Sequence, residues 1–285
     1  MKLQTFILSA LWIITGTVLF LNGYYYESGT TCFWLVIATL CWPSFQRQTN
    51  GKAWRMFGWF HLHLIPIFLI AHVIGSRFGF WLYEGTYLFV IPPDIPLIGA
   101  IPLFEFIFYS VFTAAVLGIY FMMETLVGAG HTPERNLLII RTATLVQWAG
   151  TILLLIFKPN VLRTQWPYWF FLMAGSSIPF SCAILGVPPF AGWMPFVADA
   201  CKKNAFAAFC LLLFPLMLFW ELSAVQQGLW VYNPSIMPSF IINLSPDGAR
   251  QWPLDQLFGH TNTAIFVFLA TLYRKMTDAA GATNI

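Results

Sequence analysis

The chain has 285 residues, of which 59% are hydrophobic and 9% charged, and its formal net charge is +3. Soluble domains carry about a quarter charged residues, so this composition excludes an ordinary water-soluble globule and predicts an integral membrane protein. So small a charge leaves no electrostatic footprint for nucleic acid. Five cysteines (Cys32, Cys41, Cys182, Cys201, Cys210) form no CxxC pair or other metal-ligand spacing. An odd number, mostly within apolar runs, argues against a disulfide framework.

Taken in order, the apolar runs lie near Leu3–Asn22, Thr31–Phe45, Phe57–Gly75, Ile98–Met122, Leu137–Phe157, Tyr168–Val187, Ala205–Ser223 and Asp255–Leu272. Lys2 resembles a signal-peptide start, but no small-x-small cleavage site follows the first run, which reads as a retained span. A membrane helix needs roughly 20 residues, so the Thr31–Phe45 run is short. The expected fold is all-α and polytopic, with about eight transmembrane helices and seven as the fallback. With the N-terminus cytoplasmic, the inner segments hold Lys2, Arg47, Lys52, Arg55, Arg135, Arg141, Lys202, Lys203, Arg274 and Lys275. The outer loops hold only Arg77, Lys158, Arg163 and Arg250. That asymmetry fits the positive-inside rule and puts both termini on the cytoplasmic side.

The chain repeats itself. His72 ends an apolar run, Gly79-Phe80-Trp81-Leu82-Tyr83-Glu84 follows, and Pro102-Leu103-Phe104-Glu105 opens the next run. Later, Trp220-Glu221 leads to Gly228-Leu229-Trp230-Val231-Tyr232-Asn233-Pro234 and then to Pro253-Leu254-Asp255-Gln256. Trp81 lies 21 residues before Pro102 and Trp230 lies 23 before Pro253, while His72 and Glu221 each stand seven residues before their glycine. Internal repeats of this kind signal duplicated architecture. The expectation is two parallel pseudo-repeats, residues 1–130 and 131–285, related by an axis along the membrane normal. His72, Glu105, Glu221 and Asp255 would then converge at the non-cytoplasmic ends of their helices.

An ionisable group in an apolar span is costly and usually faces a bundle interior or a cavity. A carboxyl withdrawn from water favours its neutral form, which can donate a proton. Glu105 and Asp255 are the candidate acids, with Glu221 and His72 as further candidates. The same groups would also serve as interhelical hydrogen-bond partners or touch interfacial water. Trp81, Tyr83, Trp230 and Tyr232 are repeat-matched and near the polar clusters. Aromatic faces attract cations by roughly 0.5–2 kcal/mol each; interfacial anchoring is the other use of such rings.

The Trp220-Glu221, Gly228-x-Trp230-x-Tyr232-Asn233-Pro234 and Pro253-Leu254-Asp255-Gln256 segments resemble the membrane-integral lycopene cyclase family. Two homologous halves of that family carry Trp-Asp, Gly-x-Trp-x-Tyr and Pro-Leu-Glu-Glu motifs. The resemblance implies protonation of a terminal double bond of a linear isoprenoid and closure of a ring. It also implies that Phe104, Asn233 and Gln256 line the substrate beside the matched aromatics. The family's paired glutamates read Phe104-Glu105 and Asp255-Gln256 here, and its Trp-Asp reads Ala71-His72 and Trp220-Glu221. One carboxylate per half is kept, which leaves a shorter prenyl or meroterpenoid substrate open. The segment around Glu105 is also similar to the small membrane terpene cyclases of fungal meroterpenoid pathways.

No Asp-Asp-x-x-Asp run, Asp-x-Asp-Asp motif or Gly-x-Gly-x-x-Gly fingerprint occurs, so no cofactor is expected. Five scattered histidines do not suit a di-iron centre, and His61 and His63 fall on different sides of a helix, so no metal is expected either. The expected partners are a hydrophobic linear isoprenoid and the lipid bilayer. A transporter and a non-catalytic isoprenoid-binding protein stay open as alternatives, although no run is obviously broken at matched positions.

Overall fold

A computed structural model describes residues 3–77, 79–91, 101–127, 178–187, 204–233 and 241–253, with isolated residues between 138 and 157 and Arg274. The described chain is mostly helical. Helix α1 (Leu3–Leu21) covers the first apolar run. Helix α2 (Tyr25–Gly29), a π-helical turn (Thr30–Leu35) and α3 (Val36–Gln48) follow as one rod, because the junction residues keep right-handed helical dihedrals. The short second run is thereby extended at both ends. Helix α4 (Ala53–Arg77) covers the third run and α5 (Phe104–Val127) most of the fourth. Helix α5 begins at Phe104, because Pro102 forms a β-bridge with Val90 and residues 101–103 are not helical.

Every described residue between Leu138 and Phe157 is helical. Of the sixth run only α6 (Ile178–Leu185) and the two residues after it are described, and α7 (Asn204–Gln226) covers the seventh. The last expected span, Asp255–Leu272, lies outside the described residues. Three described helices, α1, α5 and α7, are long and apolar enough to cross a membrane. Among the described residues, four cysteines (Cys32, Cys41, Cys182, Cys210) are free thiols.

Helix α5 is the hub. Between Glu105 and Glu124 it carries no charged residue, and most of it is buried, from Phe108 through Phe121. Small residues let helices approach closely inside a membrane. A Cβ on Gly118 would meet Cys41 Cβ of α3 at 2.7 Å, and the Phe45 and Phe121 rings stack 4.9 Å apart beside it. Ser28 donates across to the Gly16 carbonyl of α1 at 2.7 Å. At the end of α5 away from Glu105, Arg274 pairs with Glu124 at 2.9 Å and donates to the Gln48 carbonyl at 2.9 Å.

The two copies of the repeated motif have the same local structure. Gly79 and Gly228 hold φ of 66° and 72°, the left-handed conformation that glycine adopts without a Cβ clash. In the first copy, Gly79 N–H donates to Ser76 O and Phe80 N–H to Gly75 O. In the second, Gly228 N–H donates to Val225 O and Leu229 N–H to Ala224 O. Both sets form the same helix-terminating motif, with donors and acceptors 149 residues apart. The matching extends into the helices, because Pro66 of α4 and Pro215 of α7 stand at the same 149-residue offset and both helices run on past them.

The strands after these glycines, β1 (Trp81–Tyr83) and β2 (Trp230–Tyr232), pair antiparallel with each other. Trp81 faces Tyr232, Leu82 faces Val231 and Tyr83 faces Trp230. Each motif copy thus pairs with its own counterpart, reversed. A second hairpin, β3 (Ile241–Asn243) with β4 (Gln251–Pro253), pairs Ile241 with Pro253. Its match is the Val90–Pro102 bridge, now at an offset of 151. The two extra residues of the second copy therefore fall between Tyr232 and Ile241. In the β3–β4 turn, the Ser245 hydroxyl and the Ala249 amide donate to Asp247 and hold its exposed carboxyl below the usual carboxylate range.

The pairing gives a direct expectation. Facing Cα atoms in such a ribbon fall within the 4.4–6.8 Å that a disulfide spans. A Leu82→Cys, Val231→Cys double variant, with the native cysteines replaced, should cross-link under mild oxidation. Two shifted controls, Leu82→Cys with Leu229→Cys and Leu82→Cys with Asn233→Cys, should not. Equal cross-linking in all three, read by gel mobility after proteolysis, would contradict the register.

Candidate functional site

The antiparallel pairing of β1 with β2 brings the polar residues of both copies together near Glu105 of α5. Glu105 is 2% exposed, and its backbone N–H donates to Pro102 O at 3.0 Å, which seats it at the start of the helix. Its Oε2 lies 3.9 Å from His72 Nδ1. The hydroxyls of Tyr26 and Tyr83 lie within hydrogen-bonding range of its carboxyl, although neither Glu105 Oε2 nor the Tyr26 hydroxyl makes a bond of good geometry. A buried polar atom left unpaired costs about 1–3 kcal/mol. Unpaired buried atoms are the exception in a folded interior, and Glu27 Oε2, next in the chain to Tyr26, is another.

His72 and Glu221 do not pair with each other. Each is held by the tyrosine eleven residues after it. His72 Nδ1 shares a 2.6 Å hydrogen bond with the Tyr83 hydroxyl, and its Nε2 is bonded to the Tyr109 hydroxyl. The Tyr232 hydroxyl donates to Glu221 Oε1, which also accepts from Trp230 Nε1 at 3.2 Å. The His72–Tyr83 and Glu221–Tyr232 bonds are repeat-equivalent, with a histidine in one copy where the other has a carboxylate. The two carboxyls also lie close enough for the charge on Glu221 to be felt at Glu105.

Aromatic rings wall the site. Trp220 is sandwiched between Phe108, stacked at 5.6 Å and 11°, and Phe33, stacked at 6.5 Å and 5°. Its six-membered ring lies over Gly29, where a Cβ would come within 2.6 Å. Tyr26 touches Trp220, Trp230, Phe104 and Phe108 at centroid distances between 5.8 and 6.5 Å. Tyr87 crosses Tyr83 at 6.0 Å and donates to the Leu229 carbonyl. Burial, and after it the charge on Glu105, push the Tyr87 phenol well above its ordinary range, so it stays a donor.

The chain matches no family model, no curated protein and no solved structure. Function therefore has to be argued from the site itself.

Of the residues singled out in the sequence, Glu105, His72, Glu221, Tyr83, Phe104, Trp230 and Tyr232 are brought into one neighbourhood. Trp81 joins it through its backbone pairing with Tyr232, and Asn233 through its N–H to Phe80 O at 3.1 Å. Asp255 and Gln256 lie outside the described residues. Tyr26, Tyr87, Tyr109, Phe108 and Trp220 were not foreseen. Tyr109 had a signal, since it stands one helical turn after Glu105 on the same face, and Trp220 was already part of the repeated motif. Tyr26 and Tyr87 carried none. Among the described residues no group of three metal-ligating side chains gathers.

Proposed function

We propose that this protein is a cofactor-independent, proton-initiated isoprenoid cyclase of the membrane-integral lycopene cyclase type. About eight spans would form two parallel halves with both termini on the cytoplasmic side. The substrate is a linear isoprenoid, either a carotene or a shorter prenyl chain. Glu105 is the acid. It protonates a terminal double bond or epoxide, the resulting cation closes onto an internal double bond, and loss of a proton ends the reaction. Asp255 is the corresponding acid candidate of the second half. Tyr26, Phe108, Trp220 and Trp230 shield the cation without offering it a strong nucleophile.

One observation carries this reading. A buried carboxyl with an unpaired oxygen sits inside an aromatic enclosure, where the two copies of the motif meet. Glu27 Oε2 is buried and unpaired as well, so what singles out Glu105 is that its carboxyl stands between aromatic rings beside the paired motif copies rather than the unpaired oxygen alone. The matched glycines, prolines, strands and hairpins support the two-half architecture. The test is extraction of pigment and lipid from lycopene-accumulating bacterial cells that express the chain, followed by cells fed shorter linear isoprenoids and their epoxides. Ring-closed products that depend on the chain are expected. Unchanged substrates throughout, with folded protein in the membrane, would reject the reading.

A further inference from the structure

Resting on the cyclase reading above, we infer that Glu221 is the proton acceptor that ends the reaction Glu105 begins. The two carboxyls share one aromatic enclosure but differ in their hydrogen bonding. Trp230 Nε1 and the Tyr232 hydroxyl both donate to Oε1 of Glu221, and two donors fixed on one oxygen hold a carboxylate as an acceptor. Glu105 has the Tyr26 and Tyr83 hydroxyls within range, but neither is seated on its Oε2 as Trp230 and Tyr232 are seated on Glu221 Oε1. Two carboxyls in contrasting surroundings are how one site supplies both an acid and a base.

The repeat explains how Glu221 came to be so placed. At the equivalent position of the first copy, His72 is held by Tyr83 as Glu221 is held by Tyr232. The motif thus supplies an orienting tyrosine for whichever group stands there, and in the second copy that group is a carboxylate. Tyr26 packs against the surroundings of both carboxyls. Its ring contacts Phe104 and Phe108, which flank Glu105 on α5, and also Trp220 and Trp230, which neighbour Glu221.

The step balances. The terminal double bond gives its π pair to the proton leaving Glu105 (with an epoxide, an oxygen lone pair takes the proton and the C–O bond pair goes to that oxygen), and the internal double bond gives its π pair to the new ring bond. Glu221 removes a proton from the carbon beside the cation, and that C–H pair becomes the double bond of the product. Glu105 then regains a proton from water and Glu221 releases one to it. The product is an isomer of the substrate.

The test uses purified full-length protein in detergent, given lycopene, geranylgeraniol or an epoxidised farnesol, whichever the wild type converts. Glu221→Gln keeps the size and the acceptor oxygen but cannot take a proton. Substrate should still be consumed, while the normal ring-closed alkene falls by at least about a hundredfold. Alcohols from water capture and double-bond isomers should replace it, and Glu221→Asp should restore part of the normal product. A wild-type product ratio in Glu221→Gln would overturn the inference and leave the cyclase reading standing. So would absence of the normal product from both folded variants with no diverted product in either. A wild type inactive on every substrate would remove both.

Discussion

Glutamine in place of Glu105 is expected to slow ring closure by about 10²–10⁴-fold, the usual contribution of a general acid. Folding should be undisturbed, because the substitution keeps the shape of the side chain. The Oε2 it replaces makes no hydrogen bond of good geometry that could be lost, and the amide, like the protonated acid, brings no charge into the interior. Detergent-solubilised Glu105→Gln should therefore melt at or near the wild-type temperature while losing turnover. A variant that melts well below the wild type would mark Glu105 as structural, and one that keeps wild-type turnover would remove it as the acid. Replacing His72 with glutamine would not substitute for this test. His72 is bonded to Tyr83 and Tyr109, so its loss would disturb position as well as chemistry.

Enlarging Gly118 should have the greatest effect on stability. A Cβ there would sit 2.7 Å from Cys41 Cβ and 3.5 Å from its backbone carbonyl carbon, in the interface where α3 and α5 also stack Phe45 on Phe121. Overpacking typically costs about 1–3 kcal/mol, and here the partner is a Cβ that cannot swing aside. Gly118→Leu is expected to lower the melting temperature and the yield of monodisperse protein. Gly58→Leu, on an exposed part of α4 with open space around it, should be neutral or slightly stabilising because leucine favours the helix over glycine. Equal stability of the two variants would show that α3 and α5 are not in this close contact.

How much was legible in advance follows from where each signal resides. Length and apolarity found α1, α4, α5 and α7 because those are local properties of the chain. The α2–α3 rod was underestimated. Its first turns, Tyr25–Gly29, carry Glu27, Ser28 and Gly29, which read as a loop. Glu27 is nevertheless buried and accepts the Leu88 N–H at 2.8 Å, a tertiary contact that no hydropathy window contains. The repeat was visible through its tryptophans, glycines and prolines. That the two copies would pair strand to strand was not, since the partner of a three-residue strand is fixed only when the helices holding it assemble. The polar site was legible as residue types at matched positions. Its asymmetry, with donors on Glu221 and none on Glu105 Oε2, depends on side-chain directions that spacing cannot supply. The matched pair Pro66 and Pro215 lies inside strongly apolar runs, where hydropathy alone does not set it apart.

The measurement that bears most directly on the central claim is deuterium incorporation. Purified protein would convert a linear isoprenoid that carries no epoxide, such as lycopene or geranylgeraniol, in D₂O, with the product analysed by mass and by position. Protonation by Glu105, which exchanges its proton with solvent between turnovers, predicts one carbon-bound deuterium for each ring closed. That deuterium should sit on the carbon that received the initiating proton, and the signal should vanish with Glu105→Gln. A ring-closed product without deuterium, or one labelled equally by Glu105→Gln, would contradict the account.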